Sequence, residues 1–279
     1  MGYPRDMATE TTTGSDSTLK QRYQEVRDRI DQAAARVGRR GSDVLLVVVT
    51  KNAGIEAIRE LMTLGHADFG ENRITNMAAR AAQVQEYIDR IRELPRVAGR
   101  PIPEPPRWHM IGRMQRNKVR KTVDVARLIH SVDSMRLVEE IQAQAVKQGR
   151  VAEVLIQVNA SGEASKGGIQ PAAVCHVIDQ VNTMLNVRPR GMMCMAPHTD
   201  DTDTIRSVFT RCQELYEEIR KENAGGKRFD ILSMGMSNDF EIAVECGANL
   251  VRVGSAVIGQ GTKPETQEEQ LDVEDHDAE

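Results

Sequence analysis

The sequence predicts an α/β protein built as one (β/α)8 barrel of the TIM type. Two observations carry that prediction. β-Branched apolar runs, short enough to be buried strands, alternate about eight times with longer stretches of helical apolar spacing, and the connections are short. Nearly every strand-like run also ends on distinctive polar residues, which is where such barrels gather their chemistry. A doubly wound open sheet alternates in the same way, but no G-x-G-x-x-G follows the first strand to support it.

The elements follow in order. "LKQRYQEVRDRIDQAAARVG" sets Leu19, Tyr23, Val26, Ile30 and Val37 near helical spacing, with Gly38 as a stop. The run Val44–Thr50 is the first strand, and "IEAIRELMTLG" is a helix closed by Gly65. "ADFGEN" is a short strand, and "RITNMAARAAQVQEYIDRIREL" a long helix. "ELPRVAGRPIPEPPRW" is a proline-rich loop rather than a domain boundary. "RWHMIG" and "RLIHSVD" are strands on either side of the short helix "NKVRKTVDVA". Ser134 caps the helix "MRLVEEIQAQAVKQG". "AEVLIQVNA" is the fifth strand and "VRPRGMMCMAP" holds the sixth, with "PAAVCHVIDQVNTM" as the helix between. "DTIRSVFTRCQELYEEIRKEN" and "DFEIAVECG" are helices around the seventh strand, "FDILSMGMS". "NLVRVGSAVIG" reads as the eighth strand; no helix is evident after it, so the N-terminal helix is expected to cover that seam.

Composition narrows the function. The 279 residues carry a formal net charge of -4, which argues against a mainly electrostatic nucleic-acid binder. Aromatics are only 3%, so the core must be aliphatic, with 13 Met as adaptable filler. No apolar run approaches the roughly 20 residues of a membrane span, and no signal peptide is evident. Cys175, Cys194, Cys212 and Cys246 are scattered, which fits reduced, buried thiols in a cytoplasmic protein. Residues 1–16 are polar and expected to be disordered, 17–260 form the barrel, and 261–279 are an acidic solvated tail.

The first strand raises the functional question. "LLVVVTK" carries no charge until its last residue, Lys51. One reading is a lysine in a solvated turn. The other is an amine aimed into a site at the mouth of the barrel. In a closed barrel strand eight neighbours strand one, so Ser237 in "MGMSNDF" and Gly254-Ser255 in "VRVGS" would lie beside Lys51 and offer a phosphate cradle. Lys51 would then pair with the phosphate or form a Schiff base with a phosphorylated carbonyl compound. Walled by Val49 and a low-dielectric interior, it is expected to be shielded from water, which favours the neutral amine.

The motifs "VVVTK", "DFGEN", "WHMIGRMQRNK", "IHSVD", "VLIQVNASGEASKGG", "GMMCMAP", "LSMGMSNDFEIAVECGA" and "VRVGSAVIG" resemble those of the YggS/PROSC family of pyridoxal-phosphate homeostasis proteins. The resemblance runs from about Val44 to Gly259 and takes every strand in order. It implies the fold-type III barrel of the alanine racemase N-terminal domain. It also implies pyridoxal 5′-phosphate (PLP) held as an aldimine on Lys51, in a carrier or buffer without established catalysis. By the same resemblance Ser237, Gly254 and Ser255 bind the phosphate, Asn72 and His109 line the site region, and Arg252 faces the pyridine nitrogen. An arginine there weakens the ring as an electron sink. Asn52-Ala53-Gly54 stands where the family carries a Thr and a Pro near the lysine, and Arg73 replaces the aromatic after Asn72. The implied partners are apo PLP-dependent enzymes that receive the cofactor from a monomer.

Blander readings stand beside these. His109 beside Trp108 is equally well a core histidine with a satisfied ring. No H-x-x-x-H or H-E-x-x-H pairing suggests a metal. "SGEASKGG" lacks the G-K-[ST] of a P-loop, which leaves a loop over the mouth with Lys166 as a second amine. Met192, Met193 and Met195 suit barrel packing, and "RMQRNKVRK" is most simply a solvated helix face, with a docking patch as the alternative. Two enzyme readings compete with the carrier. A PLP racemase needs a second base, usually a tyrosine from another domain; no such domain is expected here, and Tyr3, Tyr23, Tyr87 and Tyr216 lie away from the strand ends. A Schiff-base aldolase would use Lys51 directly on a sugar phosphate.

Overall fold

The computed structural model describes residues 17–93, 103–163 and 167–259. The expected disordered segment, the acidic tail, most of the proline-rich loop and Lys166 lie outside the described residues. Eight strands, β1 (Leu45–Val49), β2 (Asp68–Glu71), β3 (Arg107–Met110), β4 (Leu128–Val132), β5 (Ala152–Gln157), β6 (Val187–Met193), β7 (Ile231–Ser233) and β8 (Leu250–Val253), pair in parallel in chain order and close into a barrel. The seam is β1 on β8, with Leu45–Val48 in register with Leu250–Val253.

The helices α1 (Leu19–Arg36), α2 (Ile55–Thr63), α3 (Ile74–Glu93), α4 (Val119–Val125), α5 (Met135–Lys147), α6 (Val174–Asn182), α7 (Thr202–Lys221), α8 (Phe240–Glu245) and α9 (Ser255–Ile258) accompany them. α1 begins with a reciprocal cap: Thr18 Oγ1 accepts from Gln21 N at 3.2 Å, and Gln21 Oε1 accepts from Thr18 N at 2.7 Å. Its buried stripe is Val26, Ile30, Ala33 and Ala34. Gly38 takes φ 69°, the left-handed turn expected of the residue that stops this helix.

α1 does cover the seam. Arg22 donates to the carbonyls of Val257 at 2.9 Å and Ile258 at 3.0 Å, which cap the short α9, and Arg29 pairs with Glu241 of α8 at 2.8 Å. The segment "SAVI", read from sequence as the end of strand eight, is instead α9. The amides of Val257 and Ile258 turn back to the Gly254 carbonyl at 3.0 and 2.9 Å, so β8 stops at Val253.

Alternation along each strand sorts its residues into an inner and an outer set. Val47, Leu128, Leu155, Met193 and Leu250 fill the inside of the barrel, each contributing about 1.5–3 kcal/mol on burial. Met193 thus serves as packing, while Met192 joins the outer core beneath the helices. The four cysteines are free thiols; Cys194 and Cys212 are buried, but Cys175 and Cys246 are only half-buried. No helix among the described residues is long and apolar enough to cross a membrane.

A bulge at Arg190 bends β6, because Val154 and Leu155 of β5 pair with Pro189 and Gly191. Arg190 reaches Glu153 at 2.7 Å and Asp230 at 2.9 Å. Gly191 follows with φ 148°, and a Cβ there would stand 1.7 Å from the Ile231 carbonyl oxygen of β7. Gly191→Ala is therefore expected to cost more than about 3 kcal/mol, since both the backbone angle and the β6–β7 spacing oppose it. Urea denaturation measures this; a loss within about 0.5 kcal/mol would mean that the bulge adapts.

Candidate functional site

Lys51 stands two residues past the end of β1 and has the parity of Val47, which packs inside the barrel. Its side chain is exposed and makes no hydrogen bond or ion pair among the described residues. The shielding from water expected from sequence is therefore absent. The main chain around it is held firmly. Arg80 of α3 donates to the carbonyls of Thr50 and Ala53, the latter at 2.7 Å, and pairs with Glu71 at the end of β2. Glu71 also accepts from the Thr50 hydroxyl. Burial raises the Glu71 carboxyl above its ordinary value, while Arg80 and Thr50 pull the other way. A free amine thus stands on a fixed base.

Across the seam, Ser237 Oγ accepts from Gly254 N at 3.1 Å and from Ala256 N at 3.5 Å. Both bonds use the oxygen as acceptor, so the hydroxyl proton is left to donate outward. Asp239 Oδ1 accepts from Met236 N at 2.5 Å and shapes the turn that carries Ser237. Gly254 lies close against β1, where a Cβ would stand 3.3 Å from Val49 Cβ. Ser255 is exposed at the start of α9. Ser237, Gly254 and Ser255 thus gather beside the end of β1, two residues short of Lys51.

Arg252 lies deeper. It is buried, donates to Ser233 Oγ at 2.6 Å and to the Cys194 carbonyl at 3.1 Å, and burial pulls its guanidinium below its ordinary value. Ser233 Oγ is 3.1 Å from His130 Nδ1, and His130 Nε2 is 2.9 Å from His109 Nδ1. His109 Nε2 meets Asp68 at 3.2 Å, and Asp68 takes a two-point bond from Arg107 at 2.6 and 2.8 Å. One donor order satisfies the row: Arg252 to Ser233, Ser233 to His130, His130 to His109, His109 to Asp68. His109 is thus a barrel-interior histidine with both ring nitrogens bonded, linked to Arg252 through two residues that sequence reasoning missed. The available signal was His130 and Ser233 at inward parity in apolar strands.

Asn72, exposed at the end of β2, lines a cleft of about 880 Å3 on the other side of the mouth, between the loops after β2, β3 and β4. The basic run is part of this cleft: Arg113, Arg116 and Lys118 stand on its rim with Arg73 and Arg136. No group of His, Cys, Asp and Glu that could hold a metal occurs among the described residues.

An unshielded primary amine beside hydroxyl and amide donors suits a small ligand that carries both a carbonyl and an anion. Comparison with known proteins bears on which. The family model for the alanine racemase N-terminal domain matches residues 22–261. A pyridoxal phosphate homeostasis protein from Aquifex aeolicus is 35% identical over 240 residues, 86% of this chain and 97% of the relative. The chain belongs to the pyridoxal phosphate homeostasis protein family. Solved structures agree with the barrel. A protein from Bifidobacterium adolescentis superposes with a TM-score of 0.78 at 33% identity, covering 86% of this chain and 94% of that one. PipY of the family, from Synechococcus elongatus, was solved with PLP bound; it superposes with a TM-score of 0.69 at 28% identity, covering 87% of this chain and 100% of that one.

The interior row and its surroundings make stability depend on pH. Burial pushes the His66 ring down to about 4. Burial, with the His109 ring and Arg252 nearby, holds His130 well below its ordinary value. Burial alone would raise the Asp68 carboxyl, but the hydrogen bonds from Arg107 and His109 outweigh it and hold it well below the usual carboxylate range. All three groups are depressed, so below about pH 6.5 the unfolded chain takes up protons that the folded one refuses. Stability should be full above that pH, fall from about 6.5 toward 4 as the histidines charge in the unfolded state, and fall further as Asp68 protonates. Urea midpoints at pH 7.5 and 5.0 test this; an equal or higher midpoint at pH 5.0 would refute it.

Proposed function

We propose that the protein holds pyridoxal 5′-phosphate on Lys51 and serves in intracellular PLP homeostasis, as a carrier or buffer that passes the cofactor to apo-enzymes. The observation that carries this reading is the meeting, at the β1–β8 seam, of an amine free of partners among the described residues with the Ser237–Gly254–Ser255 donors. When bound, PLP supplies an aldehyde that condenses reversibly with a primary amine. The residues present suit such a ligand. Ser237 has its hydroxyl proton to donate to a phosphate oxygen, Gly254 leaves the approach open, and Ser255 adds a hydroxyl and an amide at the first position of α9. Arg252, kept in place by Ser233 and the Cys194 carbonyl, offers a fixed cation beneath the mouth for the ring nitrogen.

A releasing role fits the surroundings better than turnover. Tyr23 packs edge-on to His66, Arg59 stacks over Tyr87, and Tyr216 stacks on Phe229, so none of these three offers a phenol at the mouth. Racemisation would need such an opposite-face acid. An exposed lysine is also reachable by a competing amine. The cytoplasm is the compartment that this role implies, and a monomer would suffice for it.

Lys51→Ala should abolish the borohydride-fixed PLP adduct found by peptide mass mapping, while the melting temperature of the apo form changes little, because an exposed side chain is being shortened. A main adduct on any other lysine would unseat the strand-one assignment.

PLP at about 100 times its dissociation constant adds roughly 2.7 kcal/mol to the folded form. At about 2–4 °C per kcal/mol for a domain of this size, the holo form should melt several degrees above the apo form. Ser237→Ala with Ser255→Ala should shrink that gap by weakening the phosphate hold. A double variant that keeps the whole gap would place the phosphate elsewhere.

A further inference from the structure

The cleft between the loops after β2, β3 and β4 plays no part in the site just described, apart from Asn72 on its edge. Its volume of about 880 Å3 is that of a small-molecule pocket. Its floor is apolar and buried: Ile74, Met110, Met114 and Leu137. Its rim carries five cations, Arg73, Arg113, Arg116, Lys118 and Arg136, against one carboxylate, Asp133. Only Arg113 approaches that carboxylate, at 3.7 Å. The side chains of the other four make no ion pair or hydrogen bond among the described residues. The whole chain has a net charge of -4, so so much unneutralised positive charge around one concavity stands against its general balance.

The backbone adds to the field. Two long helices start at this cleft: α3, 20 residues, with Ile74 and Thr75 on its wall, and α5, 13 residues, with Ser134 at its cap. Neither has an acidic residue in its first turn, and the Ser134 side chain does not cap α5. Unbonded amides and the positive ends of both helix dipoles therefore face the space that the cations surround. Apolar floor, cationic rim and concave shape together describe a ligand with a flat uncharged body and a multiply charged anionic end. A polymer would call for an open track rather than a cleft.

We infer that this cleft is a second ligand site, distinct from Lys51, which binds a heteroaromatic phosphate monoester without covalent attachment. Two sources share that chemistry, a mononucleotide and a B6 phosphate that has no aldehyde. The site stands across the mouth from β7 and β8, so both sites can be filled at once. Binding here bears on the Asn72 end of β2, and through β2 on Glu71 and the Arg80 clamp that holds the base of Lys51.

The test uses full-length protein with PLP fixed on Lys51 by borohydride and the adduct confirmed by mass, so that the first site is filled. Pyridoxine 5′-phosphate and AMP are titrated separately by calorimetry at about 150 mM salt, with inorganic sulfate at matched ionic strength as control. The expected result is saturable binding of at least one of them, more than tenfold tighter than sulfate. Arg116→Ala with Arg136→Ala, both exposed positions outside the PLP cradle, should weaken it at least tenfold and leave the Lys51 adduct intact. Whichever probe binds more tightly names the source. Binding seen only before the adduct is fixed, binding no tighter than sulfate, or binding unchanged in the double variant would each overturn the assignment. So would single-stranded RNA binding that tightens with length beyond the mononucleotide, which would make the cleft part of a nucleic-acid surface.

Discussion

Closure of β1 onto β8 is the contact on which the other features of this protein depend. Lys51 lies near the start of the chain, and Gly254 and Ser255 follow it by roughly two hundred residues. Four backbone pairs, Leu45 with Leu250 through Val48 with Val253, bring the two ends together and fix their relative height. α1 then clamps the join from outside, with Arg22 on the carbonyls of α9 and Arg29 on Glu241. An open sheet of the same eight strands would put β1 and β8 at opposite edges, each with an unpaired row of backbone groups. Lys51 and the Ser237–Gly254–Ser255 group would then lie at opposite edges of the sheet.

Two buried polar assemblies work beside that seam in different ways. The Glu71–Arg80–Thr50 group holds main chain: it fixes the carbonyls on either side of Lys51 and leaves the lysine side chain free. The row from Arg107 to Arg252 holds side chains, because it fills the barrel interior with groups that satisfy one another. Buried charges of this kind are weak sources of net stability compared with well-packed apolar residues. Their effect is on placement. Arg252 cannot swing away without stranding Ser233 and His130, so its position under the mouth is set from the opposite end of the barrel.

The parts of this architecture that were legible in the sequence are those written in local pattern. β-Branched runs marked the strands, and the charge at the end of the first run marked Lys51. Small and hydroxylated residues after strands seven and eight marked Ser237, Gly254 and Ser255, and the family resemblance covered the same stretches. The limit of strand eight was misread because "SAVI" is as apolar as a strand, and only the return of two amides to the Gly254 carbonyl makes it helical. His109 stayed ambiguous because its partners, Asp68 and His130, come from other strands, and Ser233, which completes the link to Arg252, lies 103 residues beyond His130. Arg80 was invisible for the same reason: on its helix it is one more arginine, and only the fold brings it under Thr50. The exposure of Lys51 was missed because the burial of Val49 does not extend two residues further.

The scarcity of aromatic residues has a practical side. The chain contains a single tryptophan, Trp108, which is buried in the wall of the barrel with its ring centroid 5.7 Å from that of Phe69. Indole fluorescence, excited to the red of the tyrosine band, therefore has one source in one place, on β3, next in sequence to His109 and on the strand whose far end opens into the cationic cleft. Emission from this indole reports the packing of β2 against β3, while a chromophore settling at the mouth would be sensed as quenching at a distance. The protein thus carries an optical probe that can separate loss of the barrel wall from loss of what the barrel holds.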